Sequence, residues 1–391
     1  MTMFRLTSTL VALLALFALG LSAHTRQSES ATDPFLAFAI QLDQEMNAHN
    51  SNLFDERFDT AAMIAVASKG IESEAAFHEE FIAEVRGGLN VGEQIVQTLA
   101  NYDGTYHFLR MLPTHPPRAL FRLASDDGLN YHELYLAKDA NGHISITDVY
   151  LYVSGERMSS QARRNYIAGS LSADRGVWDL LLGSESAYIE SVPKIEEAAK
   201  CLTEEPERAL QIIDALPSEV QAMTEILMIR VRAASNLSED QYGTAMANLF
   251  ESHPNSASLD LMIIDHYLLR GKFDAALACI DRIDLRVKDP YLDILRGGIL
   301  LQSGNAEAAR KLLMGVAERD PRIEYEALWA IQDLALKTQD HELMLNTLMK
   351  LADEYSVEFE NLADYEALKA FVASPQYAIW VKRVASAEVS R

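Results

Sequence analysis

The chain has 391 residues, of which 49% are hydrophobic, and this is enough for two or three domains with their own cores. Its 57 acidic residues outnumber its 34 basic ones, giving a formal net charge of −23, which disfavours nucleic acid and anionic membrane surfaces as partners. Two cysteines are too few for a disulfide framework or a thiolate metal cluster.

Residues 1–23 have the pattern of a secretory signal peptide. Arg5 precedes the apolar run Leu10–Leu21, which is too short to span a bilayer as a helix, since a span needs about 20 residues. Small residues follow at Ser22 and Ala23, and we expect cleavage after one of them. The sequence thus predicts an exported protein, periplasmic or secreted. The alternative is an uncleaved N-terminal membrane anchor.

Three helices are predicted next. Asp33 is a candidate cap with Pro34 at the first helical position, and the apolar residues recur at helical spacing: Phe35, Phe38, Ala39, Leu42 and Met46. A short helix is expected over 60–68, ending before Gly70. A third is expected over 73–85, ending at Gly87-Gly88.

The pattern then changes to the two-residue period of strands. Strands are predicted near 106–111, 118–123, 130–138 and 143–153, with turns at Asp126-Asp127-Gly128 and Asn141-Gly142. Helices followed by an antiparallel meander predict an α+β domain over 33–165.

The stretch RALFRLASDDGLNYHELYLAKDANGHISITDVYLYVSGE resembles the cystatin-like, nuclear-transport-factor-like cone, in which a curved sheet wraps a helix. The resemblance implies a ligand pocket, and in a minority of such proteins an enzyme. Candidate pocket residues are Arg122, His132 and Asp148, since a histidine and an aspartate on neighbouring strands can act as a general acid–base pair. Alternation places His132 and Glu133 on opposite faces, so the polar strand residues cannot all converge. The alternative is ordinary pairing of polar groups across the sheet.

Beyond residue 165 the patterns are helical and repeat. Gly271 and Gly304 are 33 residues apart. Five residues after each glycine comes a small residue, Ala276 or Ala309. Four residues after that comes a large apolar residue, Ile280 or Leu313. Weaker copies place the small residue at Ala209 and Ala245, whereas a last copy has Leu343 there instead.

This region resembles the tetratricopeptide repeat, a helical hairpin of about 34 residues. The resemblance implies an all-α helical-repeat solenoid over 180–388, with a C-terminal capping helix and a concave groove lined by the first helices. Carried over by alignment, the partner-binding candidates are Asp265, Leu268, Tyr291, Ile294, Tyr325 and Gln332. The alternative for Tyr291 and Tyr325 is packing between repeats, and for the whole region a helical bundle without a binding role.

We therefore expect a non-catalytic exported protein that binds a protein or peptide in this groove. There is no G-x-x-x-x-G-K-[ST], G-x-S-x-G or C-x-x-C motif and no metal-ligand spacing, so no cofactor, metal or catalytic residue is predicted. Acidic residues exceed basic ones on both sides of residue 165, so we expect a basic or apolar partner. The alternative function is a small-ligand or acid–base enzyme site in the N-terminal cone. The two cysteines are expected to be buried free thiols.

Overall fold

A computed structural model describes residues 33–389 except 72, 127, 140, 174–183 and 253–256. The predicted signal peptide, 1–23, lies outside this part. The described chain has an N-terminal part of helices and an open antiparallel sheet, and a C-terminal part of helices alone. The predicted change from α+β to all-α is thus confirmed.

The N-terminal part contains α1 (Pro34–Asn47), α2 (Asn52–Arg57), α3 (Thr60–Ala67), α4 (Ala75–Gly88), α5 (Val91–Asn101), β1 (Thr105–Leu112), β2 (Arg118–Ser125), β3 (Gly128–Lys138), β4 (Ile144–Leu151), β5 (Glu156–Arg157) and α6 (Met158–Ala173). The following helices are α7 (Ser184–Lys200), α8 (Pro206–Asp214), α9 (Ser218–Gln221), α10 (Thr224–Ser235), α11 (Glu239–Ser252), α12 (Ala257–Leu269), α13 (Phe273–Val287), α14 (Leu292–Gln302), α15 (Ala306–Leu313), α16 (Val316–Arg319), α17 (Glu324–Thr338), α18 (His341–Glu354), α19 (Lys369–Val372) and α20 (Pro375–Val389).

Helix α1 begins as its sequence predicts. The Asp33 carboxylate accepts a hydrogen bond from the Phe35 backbone N–H at 3.0 Å, and Pro34 occupies the first turn, where no backbone donor is needed. The helix buries Phe38, Leu42 and Met46 against one face of the sheet, within the main core of this part. Helices α2 and α5, which the sequence analysis does not predict, complete that core.

The five strands follow one another in the order β1-β2-β3-β4-β5, each antiparallel to the next. In the register of β2 and β3, Phe121 lies opposite His132 and Arg122 lies opposite Tyr131. Phe121 belongs to the apolar core and Arg122 does not, so the sheet has an apolar face toward α1 and a second face rich in polar and aromatic side chains. We call the second one the polar face.

The chain divides into two compact units, Thr32–Asp289 and a second one that contains Pro290–Arg391. The domain limits predicted from sequence, 33–165 and 180–388, instead follow the change from strands to helices, and they stay a prediction. Within the first unit, the polar face binds the end of α13: Arg110 donates hydrogen bonds to the backbone carbonyls of Arg286 and Val287, the first at 2.7 Å. These contacts satisfy carbonyls that a helix end leaves without partners.

Helices pair as hairpins in both units, among them α10 with α11, α12 with α13, α14 with α15 and α17 with α18. In three hairpins the same backbone bond closes the turn, from an N–H to the carbonyl five residues earlier. The pairs are Lys272 to Tyr267 (2.8 Å), Asn305 to Leu300 (2.8 Å) and Asp340 to Ala335 (2.9 Å). The residue before each donor has positive φ: Gly271 (64°), Gly304 (88°) and Gln339 (54°). The repeated turn geometry supports the helical repeat that the 33-residue spacing of Gly271 and Gly304 indicates.

Small residues are buried where the repeat pattern requires them. Ala276 and Ala309 are fully buried in the second helices of their hairpins, as are Ala209 and, nearly so, Ala245. Both cysteines are free thiols, and Cys279 is buried, whereas Cys201 is half-buried. Burial is the largest cause that raises the pKa of the Cys279 thiol to about 12, so this thiol is neutral at physiological pH.

Candidate partner-binding site

The six residues predicted to bind a partner all lie in or beside the first helix of a hairpin. Asp265 and Leu268 are in α12, Tyr291 and Ile294 are at the start of α14, and Tyr325 and Gln332 are in α17. The side chain of Asp265 lies outside the described part of the structure. The other five side chains are half-buried, as residues that both pack and face solvent must be.

Tyr291 and Ile294 pack between helices. Both contact a buried cluster of Val316, Ile323 and Ala327, which comes from the segment after α15 and from the start of α17. This is the packing role that the sequence analysis gave as the alternative for Tyr291. It anchors α14 to the next hairpin in the chain.

Tyr325 instead begins a continuous series of aromatic rings. Its ring centroid lies 6.2 Å from Trp329 and 5.4 Å from Tyr355, and Trp329 lies 6.0 Å from Phe359. We call these four half-buried side chains the aromatic row. Tyr325, Trp329 and Gln332 are spaced by four and three residues, so they lie on one face of α17.

The buried face of α17 is separate from that face. Ala327, Leu328, Ile331 and Leu334 are buried and hold the helix in the core, while the aromatic row stays partly exposed at its margin. Alignment to the repeat pattern selected Tyr325 and Gln332 but missed Trp329. The helical spacing between Tyr325 and Gln332 was the signal that could have found it.

A carboxylate fixes the hydroxyl end of the aromatic row. Glu324 accepts hydrogen bonds from the Lys350 ammonium at 2.6 Å and from the Tyr355 hydroxyl at 2.9 Å. The Lys350 hydrogen bond is the main cause that lowers the pKa of Glu324. Burial, followed by the hydrogen bond to Glu324 and the charges of Glu324, Glu354 and Glu326, raises the pKa of Tyr355 to about 12. At neutral pH this end of the row therefore holds a neutral tyrosine beside several carboxylates.

The candidate pocket residues of the sheet have separate environments. Arg122 donates a hydrogen bond to Asp289 at 2.8 Å, and Tyr131 donates to the other oxygen of the same carboxylate at 2.9 Å. The side chains of Arg122 and Asp289 are both fully buried. Arg122 thus lies on the polar face and joins it to the residues just after α13.

His132 lies on the opposite, apolar face. Its Nδ1 atom is 3.2 Å from the Tyr106 hydroxyl, and its Nε2 atom is 3.1 Å from the Asn130 amide nitrogen. Burial lowers the pKa of His132 to about 4, so the ring is neutral at physiological pH. A neutral, hydrogen-bonded histidine of this kind contributes to the core.

Asp148 holds the start of α6. It accepts hydrogen bonds from the backbone N–H and the hydroxyl of Ser159, at 3.0 and 2.5 Å, and from the Val149 N–H at 2.9 Å. Burial is the largest influence on its pKa and raises it, against the lowering effect of the Ser159 bonds. Asp148 lies opposite Tyr135 in β3, whereas Arg122 lies opposite Tyr131. The structure therefore does not bring Arg122, His132 and Asp148 together.

Glu133 accepts several hydrogen bonds on the polar face. It accepts hydrogen bonds from Arg118 at 2.8 Å, Tyr152 at 2.9 Å and Arg286 at 3.1 Å. The Arg286 guanidinium also lies over the rings of Tyr150 and Tyr152, with its carbon 4.9 and 4.8 Å from the two centroids. Arg286 and Glu133 are 153 residues apart, so no local pattern could have paired them.

Comparison with protein-family models gives no match for this chain, and a search of curated proteins finds no similar sequence. Within the described residues, no helix is both long and apolar enough to cross a membrane, and no group of three or more histidine, cysteine or acidic side chains is arranged to hold a metal ion.

Proposed function

We propose that the protein is an exported, non-catalytic binding protein that holds a protein or peptide segment against the first helices of tetratricopeptide-like hairpins. The observation that carries the proposal is the half-buried face of α17, where Tyr325, Trp329 and Gln332 are spaced to meet one extended segment. The fully buried side chains of α17 lie on its other face, so this face does not have to hold the helix in the core.

Two further observations support a repeat of tetratricopeptide type. The turn before the second helix has the same backbone bond in three hairpins, about 34 residues apart. A glycine in the first helix α14 also packs directly on the second helix, because a Cβ atom added at Gly297 would lie 2.5 Å from Leu313. Hairpins that pack so closely bury their apolar faces on neighbouring hairpins and leave first-helix faces for partners.

For the N-terminal part we propose a cystatin-like cone. A meander of antiparallel strands with α1 packed across its apolar face supports this assignment. In the proposed protein this part supplies a second contact or oligomerisation surface. Export rests on residues 1–23 and is tested by sequencing the N-terminus of the protein recovered from a cell envelope fraction: a start at residue 23 or 24 supports it, and retention of Met1 contradicts it.

Peptide binding can be tested on the chain from residue 24 onward, even though the natural partner is unidentified. We expect a random-peptide phage library to yield sequences that bind with micromolar dissociation constants, a range typical of transient recognition. Tyr325→Ala and Gln332→Ala should each weaken those peptides by about tenfold or more, the cost of roughly 1.4 kcal/mol of lost contact.

Lys311→Ala is the matched control, because Lys311 is exposed on the second helix α15. Circular dichroism of each variant checks that the helices are retained. Failure to enrich any peptide, or enriched peptides whose affinity is equal for wild type, Tyr325→Ala and Gln332→Ala, would contradict the proposed function.

A further inference from the structure

The aromatic row has the composition of a site for a positively charged side chain. Its rings succeed one another at centroid distances of 5.4 to 6.2 Å and are all partly exposed. The faces of tyrosine and tryptophan rings carry negative partial charge and attract cations within about 6 Å.

The charges around the row favour the same kind of ligand. The carboxylates of Glu324, Glu326 and Glu354 all act on the Tyr355 hydroxyl. Lys350 carries the opposite charge: its ammonium pairs with the Glu324 carboxylate at 2.6 Å and lies 3.8 Å from the Glu354 carboxylate. The Glu324 and Glu354 carboxylates carry two negative charges against the single positive charge of Lys350, so a cationic side chain is attracted to this end of the row and an acidic one is repelled.

Gln332, which by its spacing lies on the same face of α17 as Tyr325 and Trp329, adds a hydrogen-bond acceptor. The Gln332 side-chain oxygen is buried, and within the described part of the chain no donor lies in hydrogen-bonding range of it. A buried acceptor left unpaired costs about 1–3 kcal/mol. A ligand N–H group that donates a hydrogen bond to the Gln332 oxygen removes this cost and so gains binding free energy.

The same unit already holds an arginine in this manner. The Arg383 guanidinium carbon lies 5.4 Å from the centre of the Trp380 ring, and Arg383 forms an ion pair with Asp353. The Trp380 ring is 5.5 Å from Phe359, the last member of the aromatic row. One end of the series of rings therefore carries a guanidinium on an aromatic face beside a carboxylate, and the other end has the same two kinds of group, aromatic rings and carboxylates.

We propose that Tyr325, Trp329 and Tyr355, with Glu354 and Gln332, bind an arginine side chain of a partner peptide. The proposal rests on the proposed peptide-binding function and specifies its ligand. Arginine fits better than lysine because its planar guanidinium stacks on aromatic rings and offers five N–H donors and no acceptor.

The test uses Nα-acetyl-arginine amide as the probe and Nα-acetyl-citrulline amide as its uncharged analogue of the same shape. The chain from residue 24 is labelled with 5-fluorotryptophan, and Trp329→Phe assigns the Trp329 signal in the ¹⁹F NMR spectrum. We expect the arginine probe to shift that signal saturably with a dissociation constant on the order of millimolar, and citrulline to bind at least about tenfold more weakly. No saturable shift, or equal binding of the two probes, would overturn the proposal.

Two glutamate variants test the role of charge. Glu354→Gln should weaken the arginine probe by about two- to fivefold, as expected for one partly exposed ion pair. Glu342→Gln, an exposed glutamate twelve residues earlier in α18, should leave the affinity unchanged. Binding to Glu354→Gln as tight as to wild type would count against the proposal.

The outcome separates this proposal from the function on which it rests. If phage peptides bind in a Tyr325-dependent manner but the arginine probe does not shift Trp329, peptide binding stands and the arginine site is wrong. If neither the peptides nor the probe binds, both are wrong.

Discussion

The packing of α14 on α15 can be tested with two adjacent glycines. A Cβ atom added at Gly297 would lie 2.5 Å from Cδ2 and 2.6 Å from Cγ of Leu313, whereas one added at Gly298 would meet no atom within 4 Å. Gly298→Ala should therefore stabilise the second unit by about 0.5–1 kcal/mol, because alanine loses less backbone entropy than glycine in a helix.

Gly297→Ala gains the same entropy but forces Leu313 to move. Added atoms in a packed contact cost about 1–3 kcal/mol. The entropy gain is common to both variants and cancels between them. We therefore expect Gly297→Ala to be about 1–3 kcal/mol less stable than Gly298→Ala, the full cost of the contact.

Urea denaturation followed by tryptophan fluorescence measures this difference. Trp329 and Trp380 lie in the second unit, and Trp178, the third tryptophan of the chain, is replaced by phenylalanine in all samples so that the signal reports on that unit. Circular dichroism at 222 nm confirms that both variants start from the same helix content. Equal free energies of unfolding for the two variants would refute close packing at Gly297.

Three further predictions concern stability. Gln339→Gly should raise the thermal midpoint, stabilising by about 0.5–1 kcal/mol, because Gln339 has a φ of 54° that suits glycine; a lower midpoint would contradict this. Asp289→Asn should cost about 3–5 kcal/mol in urea denaturation, since it removes the negative charge that pairs with the buried Arg122 guanidinium, and an unchanged midpoint would contradict the buried pair. His132 has a folded-state pKa of about 4 against an ordinary 6.5, so protonation favours the unfolded chain, and stability is lost as the pH falls from about 6.5 to 4. His132→Gln should remove up to about 3 kcal/mol of that loss, and identical pH profiles of wild type and variant would contradict the buried neutral ring.

Local sequence signals predicted the elements whose ends are fixed locally. Asp33 and Pro34 start α1, and positive φ at Gly271 and Gly304 ends the helices before them, because each effect acts within a few residues. Helix α5 was missed because its cap comes from elsewhere: the Asp55 carboxylate accepts the N–H groups of Gly92 and Glu93 at 2.8 and 3.1 Å. No pattern within α5 itself records that contribution.

In the candidate sites, too, local patterns predicted some features, whereas others depend on residues distant in the chain. Alignment to the repeat pattern selected Tyr325 and Gln332 in α17, but the approach of Tyr355 to Tyr325 depends on how the hairpin closes. For the sheet, alternation correctly separated the faces of His132 and Glu133. It could not reveal that Asp289 lies against Arg122, since that pairing depends on the path of the chain through the helices between them.

The binding of α13 to the polar face has a consequence for the order of folding. The ion pair between Arg122 and Asp289 closes a loop of 167 residues, and contacts at such separation are costly in chain entropy and slow to form. Until they form, a sheet that has already buried its apolar face against α1 lacks the contacts of Arg122 with Asp289 and of Glu133 with Arg286. Fragments that end before residue 286 cannot form these contacts. A truncation series is therefore expected to reach native stability only when the chain extends past Asp289.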